Sequence, residues 1–290
     1  MSELLQFIFS GITVGSVYAL VALGFIIIYN SSGVVNFAQG EFVMLGGMTT
    51  VFLFDAGLPL WMAAVVAILV TCCVGIALNK LAIETARSAS VVTLIIITIG
   101  ASIFIRGAAQ IVFDKQIHRF PSFSGDDPIL IGGATILPQS IWIIAGAFAV
   151  FAGLFLFFSR TLTGKAILAT SNNKLAAKLV GISTNLMMTL SFALSASIGA
   201  FAGVLVTPIT LTSYDVGIAL ALKGFAAAIL GGMGSPFGAL VGGLMLGLIE
   251  AMTAGYISSN YKDAAAFIVI LGVLFVMPNG IFGRSSIDRV

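Results

Sequence analysis

The sequence predicts an all-α, polytopic transmembrane helical bundle of about 8–9 spans, and three observations carry that prediction. Hydrophobic residues make up 59% of the 290 residues, against roughly 45–50% in soluble chains. Charged residues make up only 8%, where about 25% is usual, too few to cover a globule in water. Apolar runs of about 20 residues, the length that crosses a bilayer, recur along the whole chain between short polar or turn-rich breaks. A mean hydropathy of +1.16 excludes intrinsic disorder as well, because disordered chains are polar and charged.

The runs read as spans at 5–29, 34–54, 60–80, 91–113, 139–158, 186–207, 217–232, 236–256 and 264–280 of one transmembrane domain, 1–290. The first has no Lys or Arg ahead of it, which argues against a cleaved signal peptide; this helix is expected to remain. After the fourth run, residues 114–138 form the longest polar segment, with the loop signals Asp126-Asp127-Pro128, Gly132-Gly133 and Pro138. After the fifth, residues 160–184 carry Arg160, Lys165, Lys174 and Lys178 and no acidic residue. The positive-inside rule places 160–184 in the cytoplasm. Lys80 with Arg87, and Arg284 with Arg289, agree. Alternation then puts 114–138 and the N-terminus outside and the C-terminus inside. The run 217–232 has 16 residues and reaches only about 24 Å at 1.5 Å per residue. It reads as either a short span or a re-entrant half-helix.

Helices in lipid associate through small residues at the contact. Gly11 with Gly15, Gly238 with Gly242, and Gly243 with Gly247 are G-x-x-x-G pairs, and Gly217, Ala221, Gly224, Ala228 and Gly231 step by four and three. These predict a tightly packed bundle centre. Between Gly231-Gly232 and Pro236, Ser235 reads as an N-cap and Pro236 as a first helical residue. A helix N-terminus at membrane depth offers free N–H groups to an anion, as broken transporter helices do. A tight turn joining two spans is the simpler reading and is preferred.

Charges inside apolar spans cost roughly 2.5–3.5 kcal/mol each on insertion scales, so each needs a reason. They are Glu41, Arg106, Lys223 and Glu250. Asn36, Gln39 or Gly40, Val43 and Gly47 share a helix stripe near Glu41; it suits a pathway lining or the seat of another helix. For Arg106 and Lys223 an internal ion pair or a snorkelling side chain is preferred. Asn36, Gln39, Glu41, Lys223, Gly231, Gly232, Ser235 and Glu250 are the candidate substrate-pathway residues.

Several functions are excluded. A net charge of +2 gives no basic field for nucleic acid. Cys72 and Cys73 are adjacent in an apolar run and frame neither a disulfide nor a metal site. His118 is the only histidine and lies in the outer loop, so histidine proton relays have no material. There is no Walker A loop, H-E-x-x-H or G-x-S-x-G. No catalytic residue, metal or cofactor is expected in this chain.

The segment 166–180 has an amphipathic pattern ending at Gly181, as a short surface helix would. It suits either the bilayer surface or a partner's groove.

Four stretches make the chain recognisable: Gly15-Ser-Val-Tyr-Ala-Leu-Val-Ala-Leu-Gly24; Val35-Asn-Phe-Ala-Gln-Gly-Glu41; Lys223-Gly-Phe-Ala-Ala-Ala-Ile-Leu-Gly-Gly-Met-Gly-Ser-Pro236; and Tyr261-Lys-Asp263 with Met277-Pro-Asn-Gly-Ile-Phe-Gly283. In this order the chain resembles the permease subunits of bacterial branched-chain amino acid ABC importers, in particular the LivH-like member of the pair. It departs from the family at Gln39, where histidine is frequent, and at Asn172-Asn173, near which acidic residues are frequent.

The resemblance implies a bacterial inner-membrane permease with a second, homologous permease subunit, two ATP-binding subunits that hold the ATP and Mg, and a periplasmic substrate-binding protein that docks on 114–138. It implies that 160–184 is the ATPase-coupling loop, with Gly164, Lys165, Ala169, Lys174, Ala177 and Gly181 at the dock. The alternatives are an importer of the same family for amides or urea, and an ATP-independent secondary transporter or facilitator. The latter predicts an intramembrane ion site or relay. A structural subunit of a larger membrane enzyme would need cofactor ligands or quinone-site histidines.

Overall fold

The computed structural model describes residues 2–86 and 89–283. Its helices are α1 Ser2–Ser32, α2 Gln39–Asp55, α3 Leu60–Leu78, α4 Val91–Val112, α5 Pro138–Arg160, α6 Leu162–Asn172, α7 Lys174–Leu179, α8 Thr184–Thr210, α9 Val216–Gly231, α10 Pro236–Tyr256 and α11 Lys262–Val276. One turn of π-helix, Asn79–Ile83, extends α3. Strands β1 Ile129–Ile131 and β2 Ala134–Ile136 pair antiparallel across Gly132 and Gly133, both at positive φ. The segment 114–138 therefore contains a hairpin and is not an unstructured loop. Arg87, Arg284 and Arg289, used above for orientation, lie outside the described residues.

Among the described residues, 7 helices are long and apolar enough to cross a membrane, fewer than the nine apolar runs. The two others are short. Helix α9 has 16 residues, as its run suggested. Helix α2 has 17, because residues 33–38 do not continue a helix: Gly33 turns at φ +74, and the Asn36 side chain accepts from the Ala38 N–H at 3.1 Å. Helix α2 is buried from Gln39 to Val51. Enclosed by protein, it need not match the hydrocarbon thickness.

Burial grades from the centre outward. Helix α1 is buried without interruption from Gly15 to Ile28, wrapped by α8, α9 and α10. The outer helices α3, α4, α5 and α11 expose large apolar side chains, among them Trp61, Phe104, Phe155 and Phe275. An apolar exterior around a core rich in small residues is the arrangement that suits hydrocarbon as solvent.

The glycine pairs do what their spacing suggests. Gly11 and Gly15 of α1 lie against Gly247, Leu248 and Leu244 of α10; a Cβ on Gly11 would sit 2.9 Å from the Leu248 Cα. Gly238 and Gly242 of α10 instead meet Gly231 and Ala227 of α9. The α9 stripe divides between partners: Gly217 and Ala221 pack on Gly40 of α2, while Gly224 packs on Val21 of α1.

The polar connections collect at two ends of the bundle. At one, the Asn30 Nδ2 donates to the Gly234 carbonyl at 3.1 Å. There the N–H groups of Ile281 and Phe282 cap the carbonyls of Leu230 and Gly231 at 3.0 and 2.9 Å. At the other, Gln6 Oε1 accepts from the Thr135 N–H at 2.8 Å, and His118 and Thr212 exchange backbone bonds of 2.9 Å.

Candidate functional site

The intramembrane charges form two clusters. In the first, Lys223 of α9 lies 2.9 Å from Glu250 Oε1 of α10 and 2.8 Å from Asp263 Oδ1 of α11. The Tyr18 hydroxyl of α1 donates to Glu250 Oε2 at 2.7 Å, and the ammonium sits 5.4 Å from the Tyr18 ring centroid. Four helices meet at one cation, so the cost of burying Lys223 and Glu250 is offset by mutual pairing. This is the internal ion pair preferred above. Tyr18 and Asp263 fall within the recognisable stretches of the sequence, but nothing in their spacing connects them to Lys223.

The second cluster joins α2 to α4. Glu41, 2% exposed, accepts from the Ser102 hydroxyl at 2.7 Å. Arg106 Nε lies 3.6 Å from Glu41 Oε1, and its Nη2 lies 3.5 Å from Ser102 Oγ. Glu41 Oε2 has no hydrogen-bond partner. Arg106 stands at the edge of the buried stripe Thr98, Ser102, Ile105 and Ala109 of α4 and is partly exposed.

Asn36 borders a small cavity of about 10 Å³ beside Thr98 and Phe192. Gln39 is a buried bridge: its Oε1 accepts from the Ser195 hydroxyl, 2.6 Å away, and its Nε2 donates to the Ser195 carbonyl at 3.3 Å. Ser195 Oγ also lies 2.8 Å from the Gly24 carbonyl, so α1, α2 and α8 meet at one amide. Asn36 is fully buried and its Nδ2 has no partner. Of the stripe beside Glu41, Gly40 seats α9 and Gly47 lies against Thr207 and Thr212; the stripe receives helices.

Gly231, Gly232 and Ser235 build a tight turn. Ser235 Oγ accepts from the Gly238 N–H at 3.1 Å, with Pro236 first in α10, as the N-cap reading required. Gly232 stands at φ +105. Beside this turn is a cavity of about 520 Å³ lined by Asn30, Ile167, Ser171, Met233, Ser235 and Phe282, among others.

The basic segment forms two helices where one was expected over 166–180. The break is Asn173, at φ −154, whose side chain accepts from the Ala176 N–H and so caps α7. Gly181, at φ +85, ends it. The exposed residues include Lys165, Lys174, Leu175, Leu179, Val180 and Gly181. Ala169 is half-buried, and Gly164 and Ala177 face inward; Gly164 lies against Phe157 and Phe158. The Lys174 ammonium lies 3.7 Å from Met188 Sδ. Any surface for a partner is therefore built by Leu175, Leu179 and Val180 more than by Ala177.

Residues 7–277 match the family described as "Branched-chain amino acid transport system / permease component". The chain is 33% identical over 303 residues to the high-affinity branched-chain amino acid transport system permease protein LivH of Escherichia coli strain K12, covering 99% of this chain and 97% of that one. It is 34% identical to the corresponding permease protein BraD of Pseudomonas aeruginosa, covering 99% and 98%. A solved structure, PsaBC from Streptococcus pneumoniae in complex with Fab, superposes at a TM-score of 0.50 with 17% identity, covering 97% and 94%. At that identity the likeness concerns the fold alone.

Proposed function

The chain belongs to the family of branched-chain amino acid transport permease components, and from that premise we propose that it is the transmembrane permease subunit of an ATP-driven importer for branched-chain amino acids. The observation that carries the reading is similarity over essentially the full length to permeases of that name. The chain pairs with a second, homologous permease, and two ATP-binding subunits supply the hydrolysis. A periplasmic binding protein delivers substrate to the end that carries the β1–β2 hairpin. Helices α6 and α7 lie on the cytoplasmic side, where four cations and no acid fit the positive-inside rule. The N-terminus is then periplasmic and the C-terminus cytoplasmic.

In this mechanism ATP binding closes the paired ATPases, α6 and α7 move with them, and the two permeases rock between outward and inward openings. Nothing in the step requires catalytic chemistry from this chain. Its part is to transmit motion through packed helices and to line a path.

The test is reconstitution of the co-purified complex in proteoliposomes with its binding protein. ATP-dependent uptake of leucine, isoleucine or valine is expected. ATP-dependent uptake of an amide or urea in their place would reassign the substrate. Uptake by this chain alone without ATP would replace the importer with a facilitator.

A further inference from the structure

A groove of about 720 Å³ opens on the outer face of the bundle between α3 and α5, with α8 as its floor. It runs along α3 from Leu60 to Ile68 and along α5 from Trp142 to Ala149, over Phe201 and Leu205. Small residues keep its walls low, Ala64 on one side and Ala145 and Ala149 on the other. Gly146 lets α5 come down on α8, since a Cβ there would sit 2.6 Å from Leu205 Cδ1.

The mouth of the groove is held in place. Buried Gln139 donates through Nε2 to the Leu205 carbonyl at 2.7 Å and accepts through Oε1 from the Phe123 N–H at 3.2 Å. This pins the segment after α4 over the groove end, where the Phe123 ring meets Trp142 edge to face at 6.0 Å. Trp142 Nε1 in turn donates to Ser124 Oγ at 2.8 Å. Trp61, on the α3 wall, is 70% exposed. The chain has two tryptophans, and both line this one groove.

Tryptophan gathers at the membrane–water interface, so the groove starts there and leads inward. From Leu60 to Ile68 it covers about 12 Å at 1.5 Å per residue, close to half of a ~30 Å hydrocarbon core. A spanning helix of a partner needs a seat through both halves of the bilayer, whereas a groove confined to one half suits a single lipid chain of that leaflet. The lining carries no charged side chain and, apart from the indole N–H groups, no side-chain hydrogen-bond donor. We propose that this groove is a binding site for one acyl chain of a membrane phospholipid, with the headgroup at the tryptophan mouth, and that the bound chain bridges α3 and α5 over α8. The site stands whatever solute the permease carries.

The two tryptophans supply the probe. The assembled complex is reconstituted in phospholipid brominated at mid-chain, then moved into detergent and washed until bulk lipid is gone. Subtracting the emission of the W61F/W142F complex leaves the signal of these two residues. Loss of most of that signal is expected in the bilayer, relative to unbrominated lipid, and the loss should persist through the wash. A145F and A149F each place a ring in the groove from an exposed position. Each should restore the emission after the wash, and native mass spectrometry should show one fewer phospholipid retained per copy of this chain in an intact complex.

Quenching that disappears on washing, or that persists unchanged in both A145F and A149F, would mean passing contact with bulk lipid and overturns the site. No quenching in the bilayer would mean that a partner subunit seals the groove, which overturns it as well.

Discussion

Gly15 of α1 passes α10 so closely that a Cβ built on it would sit 2.8 Å from the Leu244 Cα. The neighbouring Gly247 faces the Gly15 backbone in the same way. This contact, between residues 229 positions apart, is one expression of the small-residue packing that replaces hydrophobic driving force between helices in lipid.

Replacing Gly15 with valine should therefore disrupt the centre of the bundle. Overpacking typically costs about 1–3 kcal/mol, and backbone stands opposite, so the upper end is expected. The thermal midpoint of the detergent-solubilised protein should fall, measured by fluorescence-detected size exclusion. G153A on α5, where a Cβ meets nothing within 4 Å, should leave it unchanged or slightly raised.

Lys223 holds two carboxylates from two helices, so K223M should strand Glu250 in the bundle. Removing one member of a buried pair costs about 3–5 kcal/mol. The same thermal assay should show K223M as strongly destabilised and K223M/E250Q as partly rescued. D263N should cost least, because Asp263 is 55% exposed. Equal stability of K223M and wild type would mean that the cluster does not hold α9, α10 and α11 together.

Leu175 and Leu179 on α7 are 70% and 81% exposed, while Ala177 between them is 3% exposed. On the coupling role proposed above, L179E should leave the permease folded and uncouple ATP hydrolysis from uptake in the reconstituted complex. A177E should reduce the amount of folded protein instead. The two outcomes exchanged would put the docking face on the other side of α7.

Asp114, in the segment after α4, accepts from the His118 ring at 3.0 Å and from the Gln116 N–H at 2.6 Å, and these bonds hold its carboxyl below the usual range. Since the folded value lies below the unfolded one of about 3.9, the stabilisation is complete above that pH and fades as pH falls through the folded value. Hydrogen exchange at residues 114–118 should accelerate in that acid range. D114N should remove the acid step, and asparagine tolerates the φ of +85 at this position.

Much of this architecture was legible because four-residue spacing marks a helix face. The pairs Gly11/Gly15 and Gly243/Gly247 could be recognised individually, though nothing in the spacing says that each seats the other. The cost of burying Lys223 and Glu250 was equally plain, but their pairing depends on how α9 and α10 turn at Gly232. Where local chemistry competes with pattern, the pattern misled. The amphipathic run 166–180 reads as one helix until the Asn173 side chain is recognised as a cap that starts a second. Ile129–Ile131 and Ala134–Ile136 around Gly132-Gly133 form a hairpin signal that the polar length of the segment concealed. Ser195 looked like any serine of α8, and only the fold shows it bonded to Gln39. Helix α2 came out shorter than its apolar run because Asn36 caps the backbone locally.

The enclosure of α1 has a consequence for biogenesis. Helix α1 is surrounded in the finished protein by α8, α9 and α10, all of which are synthesised well after it. At roughly 5–20 residues per second, about 10 to 50 s separate the emergence of Gly15 from that of Leu244. Through that interval α1 exposes its glycine face and the Tyr18 hydroxyl to lipid or to the insertion machinery, and final packing requires these later helices to displace whatever occupies it. Assembly of this permease is thus a late, long-range event: truncation anywhere before α10 would leave α1 without the surface it was shaped to meet.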